Sequence, residues 1–376
     1  MKIPFLDLRT QYLELKDEID AAVMRVLDSG WYILGKECEI FERSFKEFLV
    51  SDSEGYVIAV NSGTDALKLS LLGAGVEPGD EVVTVANTAI PTVTAICSIG
   101  AVPVFCDVDP GTWLIDPSLI TQHITRRTKA LLPVHLYGGV CEMDALQSIA
   151  EQHGLKLVED VAQATGSRHR GRQCGTVGDF GAFSFYPSKN LGANGDGGAI
   201  FVKSAEVCER LRMLRNYGQS CRYRADLIGG ENSRLDEMQA AILSVKLKQL
   251  QRWNVLRMER GEYYRRRLEA AGLPIETQQD TPDSSAVMHL CVIKVEPSLR
   301  ESIQLRLSER GIQTLVHYPV PLYRQRAFSP FMRMPNPHSE NLCDSVISLP
   351  FHPYLSEQEI DFIVDELSVV MASISH

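Results

Sequence analysis

Between Tyr56 and Lys203 the chain returns again and again to a short apolar run: Tyr56-Val57-Ile58-Ala59-Val60, Glu81 to Val85, Val102 to Val108, Lys129 to Val134, Leu155 to Val158, and Gly181 to Phe185, with helical patterning between them. A strand that is apolar on both faces has to be covered on both faces, and strands that alternate with helices are joined by crossovers rather than hairpins. The pattern therefore predicts an α/β fold, a mostly parallel sheet with helices on each side. Right-handed crossovers put the C-terminal ends of the strands on one edge, where open α/β sheets bind ligands.

At 376 residues, 44% of them hydrophobic, the chain exceeds the usual size of one domain. We expect a large α/β domain with an N-terminal arm over residues 1–245, and an interdomain helix with a smaller C-terminal α+β domain over 246–376. Ile19, Val23, Val26 and Leu27 fall at helical spacing and predict a helix within about the first 30 residues, ending at Gly30, as an arm or as a cap on the sheet domain. A long helical pattern from Asn232 to about Leu268 puts Leu243, Leu247, Leu250 and Trp253 on a common stripe and predicts a bridge between domains. Beyond Gly272 come a polar stretch (Glu276 to Ser285), a strand-like run (Leu290 to Val295), a helix-like run (Leu299 to Gly311) and a final helix from about Ser356.

A formal net charge of -10 argues against affinity for nucleic acid or an anionic membrane. The segment from Lys203 to Arg267 runs the other way, with 15 Lys and Arg against eight Asp and Glu. Either these are solvated helix faces, or some of the arginines face an anionic small molecule such as a nucleotide diphosphate. Nine cysteines scattered from Cys38 to Cys343 without a CxxC pair predict buried thiols rather than a disulfide framework or a zinc site, and no metal is expected. No apolar run approaches the roughly 20 residues that span a bilayer, and Met1-Lys2-Ile3-Pro4-Phe5-Leu6-Asp7 lacks the features of a signal peptide, so a cytoplasmic protein is expected.

Three segments carry chemistry. The run Val60-Asn61-Ser62-Gly63-Thr64-Asp65-Ala66-Leu67 leaves a buried strand and enters a helix. Free N–H groups and the helix dipole make a phosphate site there, with the Ser62 and Thr64 hydroxyls as added donors; an ordinary N-cap explains the same residues. Leu155 to Asp160 ends a strand in two carboxylates, with Asp160 at the ligand edge and Gln163 close behind. Asp160 is either a cap or surface charge, or a carboxylate that keeps a pyridine nitrogen protonated. Gly181 to Gly192 delivers Lys189 from an aromatic-rich strand into a loop containing Gly195-Asp196-Gly197-Gly198, where it is either an ordinary surface lysine or an amine that desolvation makes nucleophilic. His135 and Tyr137 end another strand at the same edge, as core or as pocket.

Nearly the whole chain resembles the DegT/DnrJ/EryC1/StrS family of sugar aminotransferases, of the aspartate-aminotransferase fold (PLP fold type I). The likeness runs through Pro4 to Leu8, Asn61 to Leu67, Pro133 to Gly138, Glu159 to Gln163, Phe183 to Gly192, Asn232 to Glu237, and His317-Tyr318-Pro319-Val320-Pro321. The resemblance implies pyridoxal 5'-phosphate as cofactor, with Lys189 at the Schiff-base position and Asp160 paired with the pyridinium nitrogen. It implies Gln163 at the ring's phenolic oxygen, and Gly63, Thr64 and Ser184 around the phosphate, beside the Ser62 donor that the helix start already offers. Asn232 would reach the phosphate in a neighbouring subunit, which requires a homodimer with shared sites. Tyr186, Tyr223, His317 and Tyr318 are candidate substrate contacts, His317 having no companion carboxylate to make it a base.

Related sugar 3-dehydratases carry histidine where this chain has Lys189, which favours transamination. The blocks Arg212 to Gly218, Asn232 to Leu243 and His317 to Pro321 look most like members that aminate C3 of a nucleotide-linked 3-keto-6-deoxyhexose, with an amino acid, L-glutamate, as donor. The same fold serves 4-keto sugars, aminocyclitols of the scyllo-inosose type and PLP-binding regulatory proteins. Two departures bear on the substrate. Asn87-Thr88-Ala89-Ile90-Pro91-Thr92 has Ala89 where many members stack an aromatic on the cofactor ring, and Ala225 stands where relatives often place histidine.

Overall fold

The computed structural model describes residues 1–51 and 54–374. Seven strands make the main sheet: β1 (Tyr56–Val60), β2 (Glu81–Val85), β3 (Val102–Cys106), β4 (Thr128–Leu131), β5 (Lys156–Asp160), β6 (Phe180–Ser184) and β7 (Gly198–Val202), in the order β1-β7-β6-β5-β4-β2-β3. Only β7 runs against its neighbours, so the sheet is mostly parallel, as expected. The expectation that all strands end on one edge needs correction at β7, whose first residue, Gly198, lies at that edge opposite Val60 and Ser184. A parallel return from β6 would need a helical crossover, and the Gly-rich connection from Phe185 to Gly197 contains no helix.

After α1 (Leu8–Glu14) and α2 (Lys16–Ser29), the helices α3 (Lys36–Leu49), α4 (Gly63–Gly73), α5 (Ile90–Ser98), α6 (Met143–His153), α7 (Ala205–Leu214) and α8 (Glu237–Ala271) surround this sheet. Side chains alternate across β1 with the strand period: Ile58 and Val60 pack with α4 and α5, Val57 and Ala59 with α3 and α8. On the second face Phe41 and Phe45 meet Phe183 and Phe185 edge to face, with centroids 5.1 to 5.4 Å apart. All four are fully buried, and truncating any one to alanine should cost about 3–5 kcal/mol.

The N-terminal helix is broken in two. Asp7 caps α1 by accepting from Thr10 N, Leu15 leaves helical geometry, and α2 ends at the left-handed Gly30. Ile19 and Val26 pack on Ala241, Val245 and Trp253 of α8, so this segment caps the long helix rather than the sheet, and Leu27 is exposed. The stripe on α8 divides as well: Leu243, Leu247 and Leu250 join the aromatic cluster, whereas Trp253 turns to α2. Ten residues at 3.6 per turn rotate a stripe by roughly 80° from its start, enough to change partners.

Past Gly272 a three-stranded antiparallel sheet, β8 (Glu276–Thr277), β9 (Cys291–Lys294) and β10 (Val346–Leu349), packs under α9 (Arg300–Glu309) and α11 (Glu357–Ile374), with α10 (Pro337–Ser345) leading into β10. The stretch read as polar therefore contributes a strand. Ile3 bridges Ile312 and is buried in this same core, so the chain's start is held by its C-terminal part. Seven of the cysteines are buried, Cys97 is half-buried and Cys221 exposed, and all are free thiols. Among the described residues no helix is long and apolar enough to cross a membrane.

Candidate active site

A cavity of about 350 Å³ opens at the C-terminal edge of the main sheet. Its floor comes from the residues following β1, β5 and β6, its side wall from Thr88, Ala89, Pro91 and Thr92 at the start of α5, and its roof from His289, Leu290, His317 and Tyr318 of the C-terminal part. Ser62, Gly63, Thr64, Asp160, Gln163, Ser184, Tyr186, Lys189, His317 and Tyr318 all line it.

Ser62 caps α4, its Oγ accepting from Asp65 N at 3.1 Å, so the capping explanation holds for this residue and leaves its hydroxyl proton free to donate. The N–H groups of Gly63 and Thr64 have no partner among the described residues, as expected of a first helical turn. Two glycines let the backbone close up around them. A Cβ on Gly63 would lie 2.5 Å from Ser184 Cβ, and one on Gly198 2.4 Å from the Ser62 carbonyl oxygen.

The two carboxylates ending β5 point to opposite faces. Asp160 faces the cavity, only 4% exposed, and accepts from Thr92 Oγ1 at 3.0 Å and from Ala162 N at 3.2 Å. Burial pushes its carboxyl up, an effect those bonds and the Lys189 charge oppose. The single Thr92 hydroxyl proton goes to Asp160, so Thr88, 3.1 Å away, donates to Thr92. Glu159 turns inward and accepts from the N–H groups of Gly175 (2.7 Å), Val177 (2.9 Å) and Gly178 (2.7 Å) and from His135 Nε2 at 3.1 Å. Burial would raise its carboxyl, but these donors hold it below the usual range. His135, Glu159 and Cys174 sit close enough to suggest a metal. The Glu159 lone pairs are spent on these donors, however, and His135 Nδ1 accepts from Cys141 N, so the cluster is a structural hub.

Lys189 follows β6, its amine without a hydrogen-bond partner among the described residues; burial brings it down to about 8, partly offset by the Asp160 charge. Gln163 is held at both ends, Oε1 accepting from Tyr137 N at 2.7 Å and Nε2 donating to Tyr318 Oη at 3.0 Å. Burial, reinforced by Asp160, pushes Tyr318 up to about 12, so it stays a neutral phenol. His317 is pinned by Ser348 Oγ at 2.8 Å and lies against Phe5. Burial first, then the Lys189 charge, push it down to about 4, so it is uncharged at neutral pH and suited to positioning. His135 and Tyr137 are both core, the Tyr137 hydroxyl donating to the His317 carbonyl.

Several expected residues lie elsewhere. Asn232 is exposed beside Asn216, and Tyr223 is 86% exposed on the hairpin formed by Gln219–Cys221 and Arg224–Ala225; neither lines the cavity of its own chain. No residue between 203 and 267 lines it either. Arg215 and Arg212 instead pair with Glu42, and Arg257 is buried against Phe351. Ala89 does form part of the cavity wall, and Ala225 sits on the exposed hairpin. Thr92 and His289 were not foreseen. Thr92 lies within the run noted only for Ala89, and His289 precedes a strand distant in sequence, with no motif to mark it.

A family profile described as the DegT/DnrJ/EryC1/StrS aminotransferase family matches residues 13–368. The chain is 45% identical to the Saccharopolyspora erythraea protein called erythromycin biosynthesis sensory transduction protein EryC1, over 98% of this chain and 99% of that one. It is also 45% identical to the dTDP-3-amino-3,4,6-trideoxy-alpha-D-glucose transaminase of Streptomyces venezuelae, over 97% and 95%. Among solved structures, S. venezuelae DesV in complex with a ketimine intermediate superposes with a TM-score of 0.93 at 44% identity, covering 98% of both chains. Bacillus subtilis NtdA with bound cofactor PMP gives 0.91 at 32%, over 99% of this chain and 85% of that one.

Proposed function

Because this chain belongs to the DegT/DnrJ/EryC1/StrS aminotransferase family and is a pyridoxal-phosphate-dependent transaminase, we propose that it transfers an amino group from L-glutamate to C3 of a dTDP-linked 3-keto-6-deoxyhexose. The observation that carries this reading is the convergence of Lys189, Asp160 and the open first turn of α4 on one cavity.

The donor set fits the cofactor. The Gly63 and Thr64 N–H groups, with the Ser62, Thr64 and Ser184 hydroxyls, would hold a phosphate at the positive end of α4. Asp160 has little other reason to be a buried carboxylate facing a cavity. When bound, pyridoxal phosphate supplies an electron-accepting ring and the carbon through which the amino group passes between donor and ketone.

The chain's own groups divide the work. Asp160, steadied by Thr92 and Ala162, would keep a proton on the ring nitrogen. Gln163, unable to rotate between Tyr137 and Tyr318, would fix the ring's phenolic oxygen. Lys189, with its amine near half-deprotonated at about pH 8, can bond to the cofactor and carry a proton to and from the substrate carbon. Tyr186, His317 and Tyr318 stand around the cavity as substrate contacts. Asn232 and Tyr223, exposed and away from their own cavity, fit a homodimer in which each would serve the partner's site.

The test is the visible absorbance of the purified protein with pyridoxal phosphate, before and after L-glutamate, followed by addition of acceptors. A visible band that bleaches with glutamate and returns with a dTDP-linked 3-keto sugar supports the proposal. Return only with a 4-keto nucleotide sugar or a free cyclitol ketone overturns the substrate. A band unmoved by L-glutamate or any other amino acid points to a regulatory protein.

A further inference from the structure

Behind Lys189 three buried side chains form a line of hydrogen bonds whose direction is fixed. Asn254 on α8 donates from Nδ2 to the Thr165 carbonyl at 3.0 Å. A carbonyl oxygen only accepts, so Asn254 Oδ1 is the end that receives Asn190 Nδ2, also at 3.0 Å. Asn190 Oδ1 then faces His289 Nδ1 at 3.0 Å, and it too can only accept. The His289 proton therefore sits on Nδ1, and Nε2 is a bare lone pair. His289, Asn190 and Asn254 are each at most 5% exposed, so water does not compete for these bonds. Gly166 makes room for the line, since a Cβ there would stand 2.3 Å from Asn254 Nδ2.

His289 lines the same cavity as Lys189, and Nε2 meets no hydrogen-bond partner among the described residues. Burial first, then the positive charges of Lys189 and Arg257, oppose a second proton on the ring. Among the described residues the Lys189 amine has protons and no acceptor, while His289 Nε2 has a lone pair and no proton.

We infer that His289 is a positioning residue for Lys189, its Nε2 accepting a hydrogen bond from the lysine amine in the amine form of the enzyme, once L-glutamate has released that amine from the cofactor. The inference rests on Lys189 being the cofactor-bearing amine. A free lysine on a four-carbon stem samples many rotamers, and a fixed acceptor keeps its nitrogen aimed at the reaction centre between half-reactions. The imidazole stores no proton, because its surroundings disfavour the cation.

Full-length holoenzyme labelled with ¹⁵N-histidine gives a readout independent of turnover, with His289→Gln identifying the resonance. Expected is a proton on Nδ1 and a bare Nε2 from about pH 6 to 9, with Nε2 moving to the hydrogen-bonded range once L-glutamate has released Lys189. A proton on Nε2, or titration in that window, overturns the inference. Glutamine can donate to Asn190 and accept from Lys189, whereas leucine can do neither. After glutamate bleaching, recovery of the visible band with 2-oxoglutarate, at saturating cofactor, should be within about threefold of wild type in H289Q and at least about tenfold slower in H289L. No slowing in H289L, or equal slowing in both variants, sinks the inference alone. Absence of any visible band in the wild type removes the Lys189 assignment and the inference with it.

Discussion

Replacing Glu159 by glutamine keeps shape and removes charge, which makes it a clean probe of how the end of β5 is held. In the wild type one carboxylate oxygen accepts from Val177 N and Gly178 N, the other from Gly175 N and His135 Nε2, all within a fully buried pocket. A glutamine can present one oxygen to one pair of donors, and its amide nitrogen then confronts the other pair. His135 cannot relieve this by moving its proton, because Nδ1 already accepts from Cys141 N. Two hydrogen bonds to a charged acceptor are lost, each worth about 1.5–3 kcal/mol, so E159Q should destabilise by about 3–6 kcal/mol. Urea unfolding followed by circular dichroism measures it. Asp160 is the next residue, so cofactor affinity should fall with the same substitution, read from an absorbance titration. A loss below about 1 kcal/mol would mean that Glu159 is protonated in the fold, and the reasoning from its four donors would be refuted.

Gly198→Ala puts a Cβ 2.4 Å from the Ser62 carbonyl oxygen, backbone that cannot rotate away, so the phosphate turn must shift; cofactor affinity should fall about tenfold or more, at a stability cost of about 1–3 kcal/mol. Thr92→Val is nearly isosteric but takes the donor from Asp160 and the acceptor from Thr88; it should cost about 1–3 kcal/mol and move the pH dependence of the visible band, and an unchanged profile would exclude Thr92 as a support of Asp160. Lys246, buried and bonded to the Gly192 carbonyl and Asn194 Oδ1, is pushed down to about 8 by burial from its ordinary 10.5. Between those values the unfolded chain holds the proton and the folded one does not, so this residue makes stability rise with pH, by at most about 1.4 kcal/mol per unit. Denaturation at pH 7.5 and 9.5 should show that rise in wild type and a smaller one in Lys246→Met.

The sequence alone determined the alternation that makes a mostly parallel sheet, the edge at which its ligand sits, and the three segments that meet there around Ser62, Asp160 and Lys189. Those properties are local: strand period, helix start and Gly-rich loop are written in neighbouring residues, and crossover handedness does the rest. Other features were decided only by the tertiary structure. The reversal of β7, the split of the first helix at Leu15 and the turn of Trp253 away from its stripe depend on what each segment packs against. So do the direction of Glu159, inward to three N–H groups, and the roles of Thr92 and His289, whose partners lie 68 and 99 positions away in the chain. The Lys203 to Arg267 charges show the same limit. Counting signs could not tell a solvated face from a buried pair such as Arg215 with Glu42, because pairing is a property of distance in space and not of order along the chain.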